Sequence, residues 1–69
     1  MRNKQDEFLY GYLCALQNLI FYHDEPTLVT DSLKESGFDR DRAIAAQKDT
    51  GFMTSRMMPC IEEAFPRDS

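Results

Sequence analysis

Cysteine and histidine are scarce in this chain: Cys14, Cys60 and His23 are the only ones among 69 residues. A structural zinc site needs four nitrogen or sulfur ligands at close spacing, and no C-x-x-C pair occurs, so metal support is not expected. A single Cys14–Cys60 disulfide would tie the first helical segment to the last. Cysteine is also among the residues most often buried as a free thiol, and two free thiols are the expectation. Long apolar runs are missing as well. The longest, around Leu19 to Tyr22, is far shorter than the ~20 residues that span a bilayer. The opening Met-Arg-Asn-Lys-Gln-Asp-Glu leads into no signal-type apolar region, so a cytosolic protein is expected. The glycines, Gly11, Gly37 and Gly51, stand alone, which leaves no phosphate-cradling loop of either common type.

Charge of one sign is not extreme. Twelve acidic against eight basic residues give a net charge of −4, which disfavours non-specific attachment to nucleic acid and anionic lipid. Arg40, Arg42, Lys48 and Arg56 interrupt the acidic residues, so the dense acidic rows of a DNA mimic are absent. A chain this short holds one domain, covering residues 1–69, with loose ends expected at 1–5 and 66–69. It buries only about 60% of the surface its unfolded form exposes. Disulfides, metals and self-association are the usual supports for so small a core, and self-association is the one the composition leaves open.

What is present is helical periodicity. Between Asp6 and Tyr22, Phe8, Leu9, Tyr12, Leu13, Ala15, Leu16, Leu19 and Ile20 recur at three- and four-residue intervals. Asp6 and Glu7 fall where carboxylates favour a helix start. Tyr10, Cys14 and Phe21 form a second apolar line about a third of a turn away, and Gly11 and Ala15 a strip of small residues that allows close approach of another helix. Pro26 predicts the start of a second helix running through Leu28, Val29 and Leu33 to Gly37. Asp39 is placed to cap a third, from Arg40 to about Lys48, closed by Gly51. Phe52, Met53, Met57, Met58, Ile61, Ala64 and Phe65 repeat at helical spacing, with Pro59 either kinking that run or starting a new helix. The fold expected is an all-α bundle of three to four short helices, with the first central and the assembly oligomeric.

Candidate chemistry is thin. His23-Asp24-Glu25 sets a histidine beside carboxylates, but catalysis needs groups converging in a pocket, and capping of the second helix explains the acids. Asp39-Arg40-Asp41-Arg42 lacks the third ligand, turn glycine and late glutamate of a calcium loop. No serine has a base near it in sequence. An enzyme is not expected, and neither are a metal or a cofactor.

Residues 27–48 could instead form a helix-turn-helix, with Arg40, Arg42 and Lys48 facing nucleic acid, although Asp39, Asp41 and Asp49 flank those cations. The reading preferred is a protein-binding surface. Eight Phe and Tyr side chains and four Met exceed what one small core holds, and such residues dominate interface centres. Phe8, Tyr12, Ile61 and Phe65 are assigned to the core. Tyr10, Cys14, Phe21, Tyr22, Met57 and Met58 are assigned to an interface, with a protein partner, and a homodimer favoured among assemblies.

Glu7-Phe8-Leu9-Tyr10-Gly11-Tyr12-Leu13-Cys14-Ala15-Leu16, followed by a Gly-Phe turn and a short last helix, resembles small uncharacterised helical proteins of temperate phages and prophages. The likeness covers about two thirds of the chain. It implies an accessory protein of the bacterial cytoplasm that binds and inhibits a host factor, such as a defence system, and it carries over no functional residues.

Overall fold

The structure, a computed structural model, describes residues 4–67. Four helices follow one another: α1 (Lys4–His23), α2 (Pro26–Glu35), α3 (Arg40–Thr50) and α4 (Thr54–Ala64). Among the described residues there is no strand. Of the loose ends expected at 1–5 and 66–69, residues 1–3 and 68–69 lie outside the described residues, whereas Lys4 and Gln5 are already helical.

The breaks between helices are local chemistry. After α1 the backbone turns at Asp24, whose φ of 51° is left-handed, and Pro26 opens α2 with its φ already set. Glu25 occupies the cap position, but its side chain makes no capping bond, so the expected carboxylate cap is not formed. Gly37, at φ 82°, ends the stretch after α2. The Asp39 carboxylate then accepts from the Arg42 amide at 2.8 Å, the cap predicted for α3. Gly51, at φ 65°, stops α3 two residues beyond the predicted end. Phe52 and Met53 form the turn into α4 rather than its first residues. Pro59 lies inside α4, which runs through it as one helix.

The helices form a ring in which α1 packs on α2 and α3, and α4 packs on α3 and α2. Within it, α1 supplies more buried side chains than any other helix: Leu9, Leu13, Leu16, Gln17 and Ile20. Val29 and Leu33, Ala43, and Met57, Cys60 and Ile61 complete the core from the other three. Every fully buried apolar residue is aliphatic or sulfur-bearing, and no described Phe or Tyr is among them. That overturns two expectations. Phe8, assigned to the core, is 63% exposed, while Met57, assigned to an interface, is fully buried at the centre of the inner face of α4. Between helices of ten or eleven residues, the flexible unbranched Met57 fills space that a rigid ring does not fit.

The centre also contains two buried amides. Gln17 donates to Gln47 Oε1 at 2.9 Å and to Thr50 Oγ1 at 2.7 Å. Gln47 donates to the Phe52 carbonyl at 2.8 Å and to Thr54 Oγ1 at 3.2 Å. Both hydrogens of each amide are used, and no buried side-chain nitrogen or oxygen among the described residues lacks a partner. This chain of bonds runs from α1 through α3 into the turn before α4.

Candidate protein-binding surface

Six of the eight Phe and Tyr side chains gather near the two ends of α1, while Tyr10 lies over α3 and Phe65 at the end of α4. Near its start, Phe8, Tyr12 and Phe38 form a triangle with ring centroids 5.9–6.0 Å apart. The Tyr12 hydroxyl donates to the Ser32 carbonyl at 2.9 Å, which ties that triangle to α2. Near its end, Phe21 meets Tyr22 edge-on at 4.8 Å and Phe52 at 5.7 Å. Phe21, Tyr22 and Phe52 are 54%, 70% and 45% exposed. Contact at these centroid distances, edge-to-face for Phe21–Tyr22 and tilted for Phe21–Phe52, is favourable for aromatic pairs, so the rings hold one another in place while keeping their outer surfaces wet.

The second cluster is placed by the buried amides. Thr50 Oγ1 donates to the Gln47 carbonyl at 2.8 Å and accepts from the Phe52 amide at 3.4 Å. Gln47 holds the Phe52 carbonyl from below. Phe52 is therefore fixed on both sides of its own backbone, over the last turn of α1. Sequence periodicity counted Phe52 as a member of the final helix and missed it as a surface residue. The available signal was Gly51, which ends one helix and leaves the next residue in a turn.

The predicted interface residues separate into three groups. Phe21 and Tyr22 belong to the exposed cluster. Tyr10 and Cys14 are half-buried, and Tyr10 lies over α3 beside Ala45, Ala46 and Asp49. Met57 is core, and Met58 is half-buried and packed against it. Cys14 and Cys60 are free thiols, as expected, and the Cys60 Sγ lies 3.6 Å from the Pro26 carbonyl.

The basic residues of the helix-turn-helix reading do not converge. Arg40 donates to the Phe65 carbonyl at 3.2 Å and approaches Glu62, while Arg42 pairs with Asp6 at 3.0 Å. One tethers α3 to the end of α4 and the other to the start of α1, while Lys48 is exposed in the last turn of α3. The two helices that such a motif packs together, α2 and α3, pack on α1 and α4 instead. His23, Asp24 and Glu25 are all exposed at the α1–α2 turn, and Asp24 pairs with Arg56 of α4. Among the described residues no cluster of three or more His, Cys, Asp or Glu is arranged to hold a metal. No helix there is long and apolar enough to cross a membrane.

Comparison with protein-family models, with curated proteins and with solved structures finds no match to this chain.

Proposed function

We propose that this chain is a non-catalytic binding module that docks a protein partner on the Phe21–Tyr22–Phe52 surface and self-associates as a homodimer. The carrying observation is that Phe21, packed against both Tyr22 and Phe52, forms with them an aromatic patch in which every ring is 45% exposed or more, and that the Phe52 turn is fixed by a fully satisfied buried amide network. Rigid aromatic anchors lose little side-chain entropy on binding and bury large areas, which is why they concentrate binding energy at interface centres. With the resemblance to phage and prophage proteins, the partner is a bacterial host protein in the cytoplasm, and binding it stoichiometrically modulates or inhibits it.

Capture from a bacterial lysate tests this reading when wild type is compared with Tyr22→Glu and Phe52→Ser. Both positions are exposed, so circular dichroism is expected to stay helical. The expected result is one host protein retained in stoichiometric amount by the wild type and lost with either variant. Retention of the same proteins by all three baits would remove the aromatic surface as the docking site.

A further inference from the structure

Turned away from the core, α1 presents a second regular line of residues. Lys4, Phe8, Gly11, Ala15, Asn18 and Tyr22 recur at alternating intervals of four and three, the spacing of a coiled-coil seam, and all six are exposed. Nothing inside the molecule accounts for its central glycine. A Cβ added at Gly11 meets no atom within 4 Å, yet glycine in a helix interior costs about 1 kcal/mol relative to alanine. The open space at Gly11 and Ala15, between the exposed rings of Phe8 and Tyr22, has the form of a socket for another helix.

We infer that this outer face of α1 is the dimer contact, and that its occupant is α1 of a second copy running antiparallel. The inference rests on the self-association proposed above and gives it a geometry. Charge selects the direction. Antiparallel pairing brings Lys4 of each copy beside the Asp24–Glu25 turn of the other, whereas parallel pairing sets Lys4 on Lys4 and Glu7 on Glu7. With a two-fold axis beside residue 13, Ala15 packs on Gly11 of the second copy and Phe8 on Asn18, with Lys4 and Tyr22 at the two ends of the contact. Twenty helical residues make a contact about 30 Å long at 1.5 Å per residue, close to the 32 Å longest extent of the molecule. Small residues at the crossing point let the helix axes approach closely.

Cys14 provides a built-in probe of this arrangement. It lies about 80° around the helix from the seam's centre, so two copies place it on the same side of the axis. Two residues of offset separate the thiols by only about 3 Å along the helix direction. Cys60 is buried and stays out of the reaction.

The test joins sedimentation with cross-linking by a short bis-maleimide, on wild type, Cys14→Ser, Cys60→Ser and Ala15→Glu. The expected result is a dimer for the wild type, linked covalently in high yield through Cys14, unaffected by Cys60→Ser and unlinked by Cys14→Ser. Ala15→Glu becomes a monomer with unchanged helical dichroism. A wild type that sediments as a monomer overturns both self-association and the seam. A wild-type dimer that survives Ala15→Glu and resists linking at Cys14 overturns the seam alone and leaves self-association to another face.

Discussion

Two turns in this molecule are built to one plan and end differently. In each, a helix gives way to a hydroxyl residue, a left-handed glycine and a phenylalanine: Ser36-Gly37-Phe38 after α2, and Thr50-Gly51-Phe52 after α3. In each, the hydroxyl donates to the carbonyl three residues back and accepts from the phenylalanine amide two residues on. The first turn then hands over to Asp39, an extended residue that caps α3. Its phenylalanine settles half-buried between Phe8 and Tyr12. The second hands over to Met53, itself left-handed at φ 57°, and α4 starts with no side-chain cap. A non-glycine residue in that region costs about 1–2 kcal/mol. The turn that carries the exposed Phe52 is therefore the less favourable of the two by local rules, and Gln17 and Gln47 hold it from inside through Thr50 and the Phe52 carbonyl.

The sharpest way to break the comparison is to remove the internal support from the second turn alone. Gln47→Ala deletes a fully buried amide, leaves the Phe52 carbonyl and part of Gln17 unpaired, and opens a cavity. The expected loss is about 3 kcal/mol, which in a domain of this size lowers the Tm by roughly 12 °C or more in a thermal melt. A melt within a few degrees of wild type would mean that the turn does not depend on the network.

The four helices were legible in the sequence because periodicity, Pro26, Asp39 and Gly51 each specify a backbone event within a few residues of themselves. The buried face of α1 was legible for the same reason. Gln17 and Gln47 were not, since a polar residue at a core position declares itself only through a partner thirty residues away. The aromatic residues were misallocated in both directions. Counting rings said correctly that the core could not hold them all, and Phe21 and Tyr22 are exposed as expected. Residue type alone could not decide between Phe8 and Met57, because that choice depends on how wide the space between short helices is.

The corresponding break at the first turn is smaller. Asp39→Ala removes the carboxylate that accepts from the Arg42 amide at the positive end of α3. A loss of about 1 kcal/mol is expected, seen as a Tm lower by roughly 4–8 °C. The rings of Phe8, Tyr12 and Phe38 sit beyond the cap and stay packed, so near-ultraviolet dichroism is expected to hold its wild-type shape at low temperature. A loss as large as that of Gln47→Ala would show that the two turns depend equally on their own residues.

The smallest effect runs the other way. Met53→Gly gives the left-handed position the one residue that occupies it without a Cβ clash, while adding backbone entropy to the unfolded chain. The two terms oppose, and relief of the clash is the larger, so a gain of about 0.5–1 kcal/mol is expected. Met53 is also half-buried against the core, and the lost side-chain contact trims that gain toward the lower figure. Asp24, the other non-glycine residue at positive φ among the described residues, provides the control. Asp24→Gly relieves a milder strain, because aspartate tolerates this region better than methionine does, and it gives up the exposed ion pair to Arg56. Those terms are of similar size, so its Tm is expected to stay within about 2 °C of wild type. If both glycine variants gave the same shift, methionine at position 53 would be no more strained than aspartate at 24. The second turn would then owe its dependence on the amide network to the exposed rings alone.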